Sequence, residues 1–242
     1  MIDLFKANYD GIMKAFWETN YMMIYSMLTV FFISLPLGIM LFAFSRDYLL
    51  KNRAVYEGLS ISLNALRSVP FLIFVFILIP VNRFLFKTAF GNLAATLPLA
   101  LVSISIYSRF VEQALLNVPK KIIDRAISMG ATKLQIIRYF LLPSIKSDLI
   151  LSFTSVTISL LSYSTVMGVI GAGGLGEFAY RYGYQEYDYN LMYLVVIIFV
   201  IYVFIIQSIG YGLAKNYINK KRKKFSTYIK FISTMQCGKV NS

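Results

Sequence analysis

Five apolar runs separated by shorter polar stretches account for most of the chain, at about residues 20–44, 59–81, 93–106, 149–170 and 191–213. The third continues as a helical pattern towards Leu116. Runs that approach the ~20 residues of helix needed to cross a bilayer predict transmembrane helices. The expected fold is therefore all-α, a polytopic membrane bundle of five transmembrane helices. Pro36-Leu37-Gly38 predicts a local kink in the first.

The longest polar interruption, residues 118–146, keeps a helical pattern of its own. Ile122, Ile123, Ala126, Ile127 and Met129 recur at three- and four-residue steps among Lys121, Asp124, Arg125 and Ser128. Gly130 breaks that helix, and Thr132 is placed to cap a second one carrying Leu134, Ile137, Phe140 and Leu141. Leu142-Pro143 closes the unit. Two short amphipathic helices at a glycine bend, between spans, predict a docking element on the membrane surface.

Residues 1–18 carry Phe5, Tyr9, Ile12, Met13, Phe16 and Trp17 at helical spacing opposite Lys6, Asp10 and Lys14. This predicts an amphipathic interfacial helix, with Trp17 and Tyr21 as belt aromatics. The chain thus divides into an interfacial segment (1–18), a membrane domain (19–214) and a basic tail (215–242) that meets anionic headgroups.

Composition agrees with the pattern. The chain is 58% hydrophobic, with a mean hydropathy of +0.66. Its net charge of +13 would point to nucleic acid in a soluble protein. Here the charge sits in loops and tail, so nucleic acid is not an expected partner and the lipid bilayer is. Counting Lys and Arg gives eighteen on the side of the 118–146 stretch and tail, against five on the other. The positive-inside rule then puts the N-terminus outside and the docking stretch and C-terminus in the cytoplasm. The chain has no histidine and one cysteine, Cys237. Those counts exclude His-based catalysis, an intrachain disulfide and the common zinc sites; no metal or cofactor is expected.

Gly171, Gly173 and Gly176 satisfy G-x-G-x-x-G. A dinucleotide site needs a preceding strand and a βαβ unit, whereas here a membrane-length run comes first. The glycines, with Gly174, are better suited to a tight turn or close backbone packing at a pore. Arg67 lies in the second apolar run with Ser68 and Pro70. Such an arginine either faces protein or water, or snorkels to headgroups while Pro70 kinks the helix. Tyr163 and Met167 on the fourth run are further candidates for lining a pathway.

Three segments resemble a known family. Asp124-Arg125-Ala126, Gly130, Phe140, Leu142 and Pro143 match in spacing the cytoplasmic coupling motif of ABC importer permeases, E-A-A, three residues, G, nine residues, I-x-L-P. Arg125 in place of the first alanine is the main departure. The run GAGGLGEFAYRYGYQ resembles the G-G-G-G-L-G-D-x-A-x-R-Y-G-Y-Q signature of methionine-type permeases, with Ala172 for Gly and Glu177 for Asp. Asn64 to Phe71 is similar to the N-x-x-R-S-x-P-F segment of amino-acid-type permeases.

The resemblance implies a homodimeric permease fed by an extracytoplasmic substrate-binding protein in the bacterial inner membrane. Two ATPase subunits would dock on Asp124, Ala126, Gly130, Ala131, Leu142 and Pro143 and drive alternating access. The chain carries no G-x-x-x-x-G-K-[ST], so nucleotide hydrolysis falls to a partner and the chain is not itself an enzyme. Methionine is the expected cargo, with another amino acid or an osmoprotectant as the alternative. An ATP-independent carrier, or a receptor that recruits a partner through the same loop, are readings of another class. A carrier would be expected to show acids within its spans.

Overall fold

The computed structural model describes the backbone at residues 2–45, 49–50 and 52–237, and side chains within residues 5–45, 49–50 and 52–218. All elements among the described residues are helical: α1 (Ile2–Ala7), α2 (Tyr9–Ser45), α3 (Arg53–Ser68), α4 (Phe71–Phe86), α5 (Asn92–Leu116), α6 (Lys120–Ser128), α7 (Lys133–Gln135), a π-helical turn π1 (Ile136–Leu141), α8 (Leu142–Ser144), α9 (Lys146–Val169), α10 (Gly174–Phe178), π2 (Ala179–Gln185) and α11 (Tyr189–Cys237). Helices α2, α5, α9 and the described part of α11 are each long and apolar enough to cross a membrane. Counting the bent pair α3–α4 as one span makes five.

That pair is not the straight helix expected over residues 59–81. Its halves meet at 108°. Val69 takes an extended backbone (φ −82°, ψ 128°), because the ring of a following proline clashes with a helical residue before it. Pro70 has no N–H to carry the ladder across. The composition also changes at the break, from the amphipathic α3 with Ser60, Asn64, Arg67 and Ser68 to the strongly apolar α4.

Helix α2 holds 37 residues, about 55 Å at the α-helical rise and longer than the ~30 Å bilayer core. It does not break at the boundary expected near residue 18. Ile12 and Ala15 are instead buried against Leu175, Phe178 and Leu191, while Trp17 stays 65% exposed. Pro36 lies inside the same helix without ending it. Gly38 serves a close crossing rather than a break: a Cβ there would stand 2.6 Å from Ser108 O on α5. The Ser26 hydroxyl donates to Thr96 O at 3.3 Å, across a separation of 70 residues. The same offset at Gly38 and Ser108 makes α2 and α5 parallel, in register for at least three turns.

Among the described residues the core forms three apolar clusters. One lies around Ile12, Leu175 and Val195, and a second around Met22, Met27, Leu99 and Met167. The third joins Phe42, Tyr107 and Val111 to Ile123, Ala126 and Leu141 of the 118–146 stretch. That stretch is therefore anchored in the bundle rather than lying loosely over it. At the far end the α11 backbone remains helical through the boundary expected at residue 215. Lys220, Lys221, Arg222, Lys223 and Lys224, with Arg46 and Lys51, fall outside the described side chains.

Candidate coupling and translocation site

Helix α6 ends in a turn its sequence dictates. Gly130 has φ 73°, its N–H donates to Ile127 O at 2.9 Å, and Ala131 N–H donates to Ala126 O at 3.1 Å. These are the two bonds of a Schellman cap, which needs a left-handed residue at its centre. A Cβ at Gly130 would meet nothing within 4 Å. Glycine is required there for its backbone angle, not for space.

The next helix starts on the expected cap. Gln135 N–H donates to Thr132 Oγ1 at 3.4 Å, and Thr132 N–H donates to Gln135 Oε1 at 2.8 Å, a reciprocal capping box. Its buried face is the expected one at Ile137, Phe140 and Leu141 but not at Leu134. Leu134 is 71% exposed, whereas Ile136 and Leu141, five apart, are buried. The backbone is π-helical here, with Leu142 N–H donating to Ile137 O. A repeat of five residues per bond turns positions 136 and 141 to one face. Leu142-Pro143 continues as α8, and Pro143 is exposed.

Burial sorts the candidate coupling residues into two faces. Ala126 is fully buried, with Ile123 beside it in the core. Its small side chain therefore packs within the chain, at a position where the resemblance implies docking. Arg125, the departure from the family pattern, is exposed. It borders a shallow depression of about 500 Å³ with Lys121, Asp124, Ser128 and Met129. Ile127, Met129, Leu134 and Tyr139 add exposed apolar surface around the turn, a combination that marks interaction sites.

The candidates along the spans separate in the same way. Arg67 and Ser68 close α3 and, with Pro70, are exposed at the 108° bend. Arg67 thus sits at a helix end, not in the middle of a continuous span. Tyr163 lies beside Phe71, ring centroids 4.7 Å apart, so α9 touches that bend. Met167 is 4% exposed within the second cluster and faces the interior of the chain.

Gly171, Gly173 and Gly174 have φ of 91°, 87° and 84° and turn the chain sharply into α10. Gly176 brings α10 onto α9: a Cβ there would stand 2.6 Å from Thr165 Cα. Gly174 and Gly176 are buried inside this one chain.

Two polar arrangements escaped the sequence reading. Gly174 N–H donates to Glu18 Oε2 at 2.8 Å, Leu175 N–H to Thr19 Oγ1 at 2.9 Å, and Gly173 N–H to Glu177 Oε2 at 2.7 Å. The N-terminal part of α2 thereby holds the glycine loop. No local pattern announces a bond across 156 residues. The second is an acid buried in the third span: Glu112 is paired with Arg109 at 2.7 Å. Arg109 also donates to Ser60 O and Asn64 Oδ1 of α3. The i,i+3 spacing of the pair was the available signal; neither its burial nor the link to α3 was.

The comparisons with known proteins agree with this geometry. The profile of the family described as binding-protein-dependent transport system inner membrane component matches residues 34–223. The probable D-methionine transport system permease protein MetI of Vibrio cholerae is 39% identical over 211 residues, covering 87% of this chain and 94% of that protein. The methionine import system permease protein MetP of Bacillus subtilis is 39% identical over 182 residues, covering 75% and 82%. Among solved structures, an inward-facing conformation of the MetNI methionine ABC transporter superposes with a TM-score of 0.83 at 35% identity, covering 85% of this chain and 95% of that one. A second crystal form gives 0.79 at 37% identity, covering 83% and 93%. The helical bundle, the glycine-turned helix pair and these matches have one reading: the chain belongs to the binding-protein-dependent transport system inner membrane components.

Proposed function

We propose that this chain is the permease subunit of an ATP-binding-cassette importer that carries methionine into the cytoplasm, with a binding protein delivering cargo and two ATPase subunits driving the cycle. One observation carries the docking assignment. The α6–Gly130–π1 unit is rooted in the core through Ile123, Ala126 and Leu141, yet presents Arg125, Ile127, Met129 and Leu134 outward. A movement imposed on the exposed face passes to the spans through packed side chains, and packed interfaces switch between discrete arrangements.

In this reading α3–α4 count as one span, the N-terminus is outside, and the α6 face and C-terminus are cytoplasmic. Two copies pair to enclose the pathway. Arg67, Ser68, Pro70 and Tyr163, gathered where α9 meets the α3–α4 bend, are its candidate lining. Gly171, Gly173, Gly174 and Gly176 shape the loop at the outer end. Methionine as cargo is supported by the named activity of the relatives and by the GAGGLGEFAYRYGYQ run.

Vesicles reconstituted with this chain, its ATPase and its binding protein should accumulate labelled methionine only with ATP. Unlabelled methionine should compete, and other amino acids or osmoprotectants should not. Uptake that persists without the ATPase would sink the importer reading. Competition by another solute alone would reassign the cargo.

A further inference from the structure

An apolar groove of about 520 Å³ lies between α2, α9 and α11 and is used by none of the steps above. Leu35, Leu149, Phe153, Ile206 and Ile209 form its walls. Gly210 lets α11 approach α9 closely at Thr154, where a Cβ would collide with the threonine side chain. The threonines in the wall offer the groove no donor. Thr154 and Thr157 hydroxyls donate to Ile150 O and Phe153 O of their own helix, each at 2.8 Å. The Tyr107 hydroxyl likewise donates to Leu149 O at 3.3 Å. A zwitterionic cargo would find nothing there to replace its water.

One end of the groove is different. Lys146, the first residue of α9 and the residue that closes the coupling stretch, stands with its ammonium 5.5 Å from the Tyr217 ring centroid. Among the described residues no carboxylate lies within ion-pair distance of it. The occupant that fits is apolar along its length and anionic at one end. A helix from a second copy would fill the apolar part but leave Lys146 without a counter-charge.

We propose that the groove holds an acyl chain of an anionic phospholipid whose phosphate is bound by Lys146 beside Tyr217. Basic pockets between membrane helices recognise acidic headgroups in this way, and the aromatic face adds a cation–π contact that strengthens as water is excluded. The inference rests on the proposed transport reading only for the leaflet, which that orientation makes the cytoplasmic one. A lipid wedged between α2 and α11 would brace α11 against the element next to the coupling helices.

Native mass spectrometry of the purified full chain, titrated with equal amounts of phosphatidylglycerol and phosphatidylcholine, tests the proposal without any transport assay. Wild type should retain one phosphatidylglycerol at least fivefold in preference to phosphatidylcholine. Lys146→Gln should bring the two lipids to parity. Ile209→Trp, at a position already exposed, should reduce retention of both while the protein stays monodisperse. A photoactivatable phosphatidylglycerol should label peptides from α9 and α11. Equal retention by wild type, an unchanged preference in Lys146→Gln, undiminished retention in Ile209→Trp, or labelling confined to other helices would each overturn it. So would a crosslink from Ile209 to a second copy. Loss of methionine uptake with lipid selectivity intact would count against the transport reading alone.

Discussion

Arg109 and Glu112 form an ion pair at 2.7 Å one turn apart on α5, with Glu112 only 3% exposed. The guanidinium extends the pair to Ser60 and Asn64 on α3, the helix that leads into the bend at Pro70. Among the described residues Glu112 Oε1 has no hydrogen-bond partner, so there the carboxylate depends on this one arginine. Removing one member of a buried pair strands the other charge, at a cost of about 3–5 kcal/mol. Arg109→Leu should lower the thermal unfolding midpoint in detergent sharply. The double variant Arg109→Leu/Glu112→Leu should recover most of the loss. Equal losses in the two variants would show that the cost comes from the lost Arg109 bonds to α3 and not from a stranded Glu112.

Gly130 tests the turn apart from the space around it. A β-branched residue at φ 73° costs about 1–2 kcal/mol in a backbone that asparagine tolerates. Gly130→Val should insert into the membrane normally but co-purify poorly with the ATPase, whereas Gly130→Asn should keep most of the complex. A pull-down at fixed expression level checks it; equal recovery would mean that the Schellman geometry does not set the docking face.

The glycines of the spans divide by what surrounds them. A Cβ on Gly168 would collide with the Glu177 backbone nitrogen and stand 2.9 Å from Gly176 Cα, and backbone cannot step aside as a side chain can. Gly168→Ala should destabilise by about 1–3 kcal/mol or more through overpacking. Gly58, within α3, has nothing among the described residues within 4 Å of its would-be Cβ, so Gly58→Ala should be stabilising by about 0.5–1 kcal/mol. Opposite shifts in unfolding temperature are the expected result.

Glu18 and Thr19 hold the glycine loop by its own N–H groups. Glu18→Ala removes a charged acceptor from Gly174 N–H, a loss of about 1.5–3 kcal/mol for a bond of this kind. Hydrogen exchange at residues 171–176 should speed up in that variant while α5 keeps its protection. Unchanged exchange in the loop would show that Thr19 and Glu177 suffice without Glu18.

The α6 turn was legible because its signals are local. Gly130, Ala131, Thr132 and Gln135 are neighbours, and each bond they make spans five residues or fewer. The packing of the same unit was not. The sequence pattern put Leu134 on one face with Ile137, Phe140 and Leu141 because it assumes 3.6 residues per turn, and the π-helical backbone brought Ile136 inward beside Leu141 and left Leu134 outside. Ala126 reads equally well as a small residue facing a partner or filling a core; only its neighbours Ile123 and Leu141 show which. The break at Val69-Pro70 was half visible. Proline announced a distortion, but an angle of 108° depends on what the two halves pack against.

By itself, then, the sequence determined the membrane class, the number and rough bounds of the apolar runs, and the glycine-capped turn. Hydropathy, the Schellman bonds and the capping box all arise between residues close in the chain. The tertiary structure decided which small residues face inward, that α2 runs unbroken from Tyr9 to hold the glycine loop, and that Arg109 links α5 to α3. Those features join residues tens to more than a hundred positions apart. No periodicity along one chain encodes which distant helix supplies the partner for a buried charge or an unpaired N–H.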